Sequence, residues 1–169
     1  PINLENYKFN LDLNGINSVP NEDQLSGSSK DWYPVHRYVN VSDGSKGITM
    51  ASLDAPLLNL GGITAGKWTG GGDLIPEGPH LYSWAINNHW MVNFKASQEG
   101  KIPFRFRFQT HSHDFDISSS FKFGLDSLSP PIILRDKKRK STQIEDTYIS
   151  CDTEQINFTL KPSNDAKGI

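Results

Sequence analysis

Residues 85–94, AINNHWMVNF, combine side chains that could recognise a polar ligand, with three Asn, one His and one Trp in ten positions. Indole faces stack on sugar rings and amides bond hydroxyl groups. The same amides could instead fix a bend, because Asn tolerates left-handed backbone and bonds neighbouring backbone groups. We favour this structural interpretation, in which Trp90 packs against strands and the amides of Asn87, Asn88 and Asn93 bond the backbone. The segment therefore predicts a domain-interface or ligand-binding site that contains Trp84, Asn87, Asn88, His89, Trp90 and Asn93.

A second cluster has the residue types of a metal site. His111 and His113 would share one face of a strand, and Asp114 or Asp116 could be a further ligand or an orienting partner. The cluster follows a strand pattern and leads into Ser118-Ser119-Ser120, which is typical of a polar loop. We therefore predict no metal site here.

Other catalytic patterns are weak. Glycoside hydrolysis needs two carboxyl groups that meet in space, and no distinctive motif flanks Asp54, Glu77 or Glu99, the acids near the Trp-rich middle. The glycine-rich residues 69–73 lack the Lys-Ser/Thr ending of a phosphate loop, and a Gly-x-Ser-x-Gly nucleophile motif is absent from the sequence. The single cysteine, Cys151, has no partner for an internal disulfide and lies in a strand-like run. We predict no catalytic residue in this chain.

The composition suits one domain of 169 residues with a net charge of −2. Residues 135–140, RDKKRK, form the main basic run, which is typical of a solvated loop, so we expect no nucleic-acid partner. The sequence contains no apolar run of about 20 residues, so we expect no membrane span. Both ends look cut, and the compartment stays open between cytoplasmic and periplasmic or secreted.

The main structural signal is period-two alternation. Phe104, Phe106 and Phe108 alternate with Arg105 and Arg107, which predicts a strand with the three Phe buried and the two Arg on the other face. Similar runs occur at 7–13, 35–41, 48–51, 81–86 and 156–160, with turn pairs at 14–15 and 43–44. Sustained helical periodicity is missing. The sequence predicts an all-β fold, a β-sandwich with very little helix and long loops at about 17–31, 64–80 and 126–143.

Three blocks of sequence occur together in the same order: DWYPVHR with VNVSD at 31–43, GITMASLDAPLLNLG at 47–61, and YSWAINNHW at 82–90 followed by Asn93-Phe94, Gln98, Gly100 and Phe104-Arg105. In this order they resemble the C-terminal β-rich region of glycoside hydrolase family 38, the α-mannosidases, especially a bacterial branch. The resemblance covers about residues 24–125. Residues 149–161 resemble the start of the last sandwich domain of that family.

The resemblance implies a supersandwich architecture, with a first β-sandwich domain at 1–145 and the start of a further β segment at 146–169. It implies a parent protein that is a retaining α-mannosidase, whose zinc ion and Asp nucleophile belong to an N-terminal catalytic domain outside this chain. We therefore expect no cofactor in this chain, and we expect the chain alone to be inactive on mannosides. Its expected partners are that catalytic domain and, in a second interpretation, carbohydrate. The alternative is a self-standing carbohydrate-binding sandwich in which Trp68, Trp84 or Trp90 stacks on sugar.

Overall fold

A computed structural model of the chain describes residues 3–64, 72–87, 92–93 and 95–130. These residues all belong to one compact unit, Pro1–Pro130. The predicted strand at 156–160, the boundary at 145 and Cys151 lie outside the described residues, so they stay predictions.

The described strands form two antiparallel sheets. The larger sheet has the order β2-β1-β4-β5-β8 and the smaller has the order β3-β6-β7. In chain order, the elements are β1 Lys8–Leu13, β2 Ile16–Ser18, β3 Tyr33–Pro34, β4 Val39–Ser42, β5 Gly47–Ser52, β6 Leu57–Leu60, β7 Leu81–Ser83, β8 Phe106–His111 and the helix α1 Ile117–Leu128. The prediction of an all-β fold with little helix is confirmed.

Two predicted hairpins are present, each closed by the expected turn residues. Leu13 pairs with Ile16, so Asn14 and Gly15 alone form the turn between β1 and β2. Their φ angles of 57° and 92° match a turn with two left-handed residues. Between β4 and β5, the Asp43 carboxylate accepts hydrogen bonds from the hydroxyl and backbone N–H of Ser45. The hydroxyl bond is the largest cause that lowers the pKa of Asp43 to about 2.

The apolar core lies between the two sheets. The larger sheet contributes Phe9, Leu11, Val39, Val41 and Met50, and the smaller contributes Tyr33, Leu58 and Leu60. These residues are spaced by two along their strands, so one face of each strand points inward. This packing of two sheets on one core agrees with a sandwich-like fold.

The opposite face of the larger sheet is also buried, although its side chains are polar. Asn10, Asp12, Asn40, Ser42 and Thr49 are all less than 9% exposed. Asp12 accepts hydrogen bonds from the Gly15 N–H at 2.6 Å and from Arg37 Nη1 at 3.0 Å. The period-two pattern is therefore present, but it separates apolar from polar buried faces and does not separate core from solvent.

Helix α1 packs against β5 and corrects the prediction of a polar loop at 118–120 and at 126–128. Its N-cap, Asp116, accepts hydrogen bonds from the backbone N–H groups of Ser118 and Ser119. The buried helix positions are Ser120, Gly124 and Ser127, which are small and not apolar. The helix was missed because its buried stripe has helical spacing without hydrophobic side chains.

The prediction that three Phe residues are buried around β8 is wrong for Phe108, whose exposure is 59%. Phe104 and Phe106 are half-buried. The reason is that β8 is an edge strand of the larger sheet, where Phe106 still packs against the core and Phe108 is not part of it. The opposite orientation of Arg107 is confirmed, because its guanidinium lies 5.7 Å from the Phe123 ring of α1.

Candidate functional site

The predicted site at residues 84–93 is described only in part. Trp84 is half-buried, and Asn87 and Asn93 are exposed. Asn93 has a φ of 73°, the left-handed conformation expected of Asn in a bend. Asn88, His89 and Trp90 lie outside the described residues. Their grouping with Asn87 and Asn93 into one structural unit stays a prediction.

Trp84 borders a cleft that the sequence did not predict. Its ring centroid lies 3.7 Å from that of Trp32, and the two ring planes are tilted by 57°. The cleft has a volume of about 370 Å³. We call it the aromatic cleft, with walls that include Trp32, Asn59, Ile63, Tyr82, Trp84 and Ile86.

Backbone hydrogen bonds fix the walls of the aromatic cleft. The N–H of Trp84 donates to the carbonyl of Leu57 at 2.9 Å, and its indole Nε1 donates to the carbonyl of Ile86 at 2.7 Å. The buried Asn59 amide donates to the carbonyl of Asp31, which ties β6 to the residue before Trp32. The indole of Trp84 and the amide of Asn59 are therefore anchored to backbone before any ligand arrives.

His111, from the His-Asp cluster that was considered as a metal site, joins a polar contact between the larger sheet and α1. Asn40 Nδ2 lies 2.9 Å from Thr49 Oγ1 and 2.8 Å from His111 Nε2. His111 Nδ1 lies 2.9 Å from the carbonyl of His113. Because a carbonyl only accepts, Nδ1 carries the proton and Nε2 accepts from Asn40. Thr49 Oγ1 continues the network to Ser120 Oγ at 3.3 Å.

The other potential metal ligands also make contacts within the fold. His113 Nδ1 bonds the carbonyl of Asp114 at 2.6 Å, and the Asp116 carboxylate caps α1. Within residues 3–64, 72–87, 92–93 and 95–130, no group of three or more His, Cys, Asp or Glu side chains is placed to hold a metal ion. The contacts show that His111 links β8 to Asn40 of β4, whereas His113 and Asp116 make local contacts in the turn after β8 and at the start of α1.

Among the acids near the Trp-rich middle, Asp54 forms a closed ion pair. Its Oδ1 lies 2.7 Å from Arg105 Nη2, and its Oδ2 accepts from Arg105 Nε at 2.9 Å and from the Arg105 N–H at 2.7 Å. The side-chain hydrogen bond from Arg105 is the largest cause that lowers the pKa of Asp54. A carboxylate held in this form is unsuited to donate a proton, and it connects the β5–β6 turn to the start of β8. Glu77 and Glu99 are exposed.

Sequence reasoning missed two features of these sites. Trp32 was not predicted to face Trp84, because the order β3-β6-β7 brings together segments that are far apart in the chain. Asn40 and Thr49 were not predicted to be buried, since nothing in their own strands reveals the covering helix. The sequence signal that could have predicted the helix was Asp116, a preferred N-cap residue shortly before Ser118-Ser119-Ser120.

No protein-family model, curated protein or solved structure matches this chain. Across the described residues, the chain contains no helix that is long and apolar enough to span a membrane.

Proposed function

We propose that this chain is a non-catalytic C-terminal β-sandwich segment of an α-mannosidase-like glycoside hydrolase, where it braces or rims a separate catalytic domain. The resemblance of the three sequence blocks to family 38 suggests the parent enzyme. The observation that carries the bracing role is the exposed phenylalanine on the core side of β8.

Phe108 belongs to the apolar face of the larger sheet. It pairs with Met50, a core residue, and stands two residues after Phe106, which packs against the core. A Phe on this face is 59% exposed, so its burial by a further element would remove apolar surface from water. Full burial of a large apolar side chain contributes about 1.5–3 kcal/mol, and covering the exposed 59% of Phe108 would contribute the corresponding part of that. We assign this surface to contact with the catalytic domain of the same polypeptide.

The polar residues of the three blocks support a structural role. The carbonyl of Asp31 accepts from Asn59, Trp32 packs on Trp84, and Asp54 holds Arg105. Each contact joins one block to another. Residues that resemble a family of hydrolases are thus used to hold strands and turns together, and the zinc ion and nucleophile are expected in the catalytic domain.

A self-standing carbohydrate-binding module is the second candidate function. The aromatic cleft favours it, because paired indoles beside an amide are suited to a sugar. The tilt of 57° between Trp32 and Trp84 favours a narrow cleft over the flat platform that a module for extended polysaccharide would present.

The test extends the reading frame upstream of Pro1 and expresses the whole product. We expect a zinc-dependent hydrolase of 4-nitrophenyl α-D-mannopyranoside, and no turnover from this chain alone. An upstream sequence without a zinc-binding hydrolase domain would contradict the proposal.

A variant pair tests the bracing surface in the same product. Phe108→Ser should lower the thermal stability of the whole enzyme, while the isolated chain keeps its melting temperature because the side chain is already exposed there. Ile16→Ser is the matched control, since Ile16 is 72% exposed on β2, at the other edge of the sheet. If both substitutions change the thermal stability of the whole enzyme equally, Phe108 does not contact the catalytic domain.

A further inference from the structure

We infer that the aromatic cleft binds a single neutral pyranose ring. This inference goes beyond bracing, because it gives the segment a ligand of its own. Binding by the cleft does not depend on the proposed catalytic partner, but the choice of an α-mannoside as first probe rests on the proposed function.

The residues that line the cleft select the ligand class. Trp32, Trp84 and Ile63 offer apolar surface, whereas Asn59, Tyr82 and Ser83 bring polar groups. The side chains that line it in the described residues carry no charge, so phosphates and carboxylates would lose their hydration without an ion pair in return. A pyranose ring has an apolar C–H face and an edge of hydroxyl groups, which match the two kinds of wall.

The shape limits the ligand to a small one. A volume of about 370 Å³ is near the lower end of ligand pockets, which span roughly 300–1,000 Å³. The two indoles contact each other at a tilt of 57°, so one ring can lie against an exposed indole face but not between the two indoles. An extended polysaccharide would need a flat row of aromatic faces.

The cleft is also organised in advance. Trp84 is held at its backbone by Leu57 and at its indole by Ile86, and Asn59 is held by Asp31. Groups that are already fixed lose little conformational entropy when a ligand binds, so more of the contact energy remains as affinity.

The rim of the aromatic cleft could bind an apolar protein surface instead of a sugar. Ile63 and Ile86 are 67% and 45% exposed, which would also suit an apolar protein surface. The hydroxyl of Tyr82, a half-buried side chain in the cleft wall, argues for the sugar, because a purely apolar partner would cover it without bonding it.

The experiment follows the four Trp indole N–H signals of the ¹⁵N-labelled chain during titration. The probes are methyl α-D-mannopyranoside, maltose and N-acetylglucosamine, with cyclohexanol as an apolar compound of similar size. We expect saturable shifts of the Trp84 signal, assigned with Trp84→Phe, and a dissociation constant on the order of 1 mM for a site of this size.

Variants then test the cleft itself. Tyr82→Ala and Ile63→Ser should each weaken binding about tenfold, because they remove an aromatic or apolar wall. Ile16→Ala is the matched control and should bind like the parent, since Ile16 is exposed on β2 in the other sheet. The backbone amide spectrum reports whether each variant is folded, and two independent wall substitutions keep the test valid if one of them unfolds the chain.

Three outcomes would overturn the inference: no pyranoside shifts an indole signal, folded wall variants bind as the parent does, or cyclohexanol shifts the signals as strongly as the sugars. Binding of maltose or N-acetylglucosamine without the mannoside would support the cleft and count against the α-mannosidase assignment. If no sugar binds this chain but the product of the extended reading frame is an active mannosidase, the inference about the cleft is wrong and the proposed function stands.

Discussion

Strand β1 buries side chains on both of its faces, and the two faces are stabilised by different chemistry. Phe9 and Leu11 point into the core between the sheets, where burial from water supplies the stabilisation. Asn10 and Asp12 point the other way and are as little exposed, at 8% and 1%. On that side the stabilisation depends on hydrogen bonds that must each find a partner.

The two faces differ in how well they tolerate substitutions. An apolar contact is non-directional, so a core responds to the volume removed. A buried polar network depends on direction, and one lost partner leaves a desolvated group behind. Within the described residues, Asn40 Oδ1 is a buried atom that already lacks a hydrogen-bond partner, so this interface has little room for further loss.

The largest effect is expected on the apolar side. Leu11 is fully buried, so Leu11→Ala should lower the free energy of unfolding by about 2–5 kcal/mol. Urea denaturation followed by tryptophan fluorescence measures it. Ile16→Ala in the same hairpin is the control, because a side chain that is 72% exposed should change stability little. Similar losses for both would show that burial of Leu11 does not stabilise the fold.

A smaller loss is expected from the polar side. Asn40→Ala removes the contacts of the amide with Thr49 and His111 and should cost about 1–3 kcal/mol. A double-mutant cycle with Thr49→Val measures the coupling by denaturation. We expect non-additivity, since both substitutions break the same hydrogen bond. Additive losses would mean that the buried polar contact does not act as a network.

The third prediction concerns how closely α1 approaches the polar face. A Cβ at Gly124 would lie 2.6 Å from the carbonyl oxygen of Arg37, so the helix or the backbone at Arg37 must shift. Gly124→Ala should therefore destabilise the protein by about 1–3 kcal/mol from overpacking, offset by up to about 1 kcal/mol of helix propensity.

Ser119→Ala is the control for Gly124→Ala, because Ser119 lies on an exposed position of the same helix. It should be neutral or slightly stabilising in the same thermal denaturation experiment. If Gly124→Ala raises the melting temperature as well, the helix does not pack closely on Arg37.

Alternation and turn residues were sufficient to predict β1, β4, β5, β7 and β8, whereas β3 and β6 were not predicted. Asn14-Gly15 gave the first hairpin, and Val39 and Val41 gave the core side of β4. These signals are local, because turn conformation and side-chain direction depend on adjacent residues.

The polar interface and the aromatic cleft could not be predicted in the same way. Whether Asn40 is buried depends on α1, and whether Trp84 is half-buried depends on Trp32, a residue from another block of sequence. Phe108 shows the converse, since its strand pattern predicts burial and the sheet edge leaves it exposed. Local pattern thus specifies the direction of a side chain, and the tertiary neighbours decide what covers it.

The smallest loss of stability is expected from breaking an exposed polar contact. This contact serves as the comparison for the buried polar network around Asn40. Asp54 and Arg105 form a two-pronged ion pair, but the Arg105 side chain is 69% exposed, so solvent screens the attraction. Asp54→Asn should change stability at neutral pH less than Asn40→Ala does.

The pH dependence separates this ion pair from the rest of the fold. Because Arg105 lowers the pKa of Asp54 below its ordinary value of 3.8, the contribution of the pair is complete above that value. It is lost as the pH falls through the lower pKa of the folded state. Denaturation midpoints of the parent should therefore fall more steeply below about pH 4 than those of Asp54→Asn. Arg105→Gln should flatten the acid limb to the same extent, and the double variant should add nothing further. If Asp54→Asn leaves the acid limb as steep as in the parent, the exposed ion pair does not contribute to the free energy of unfolding. The polar contacts that stabilise the fold would then be the buried ones under α1.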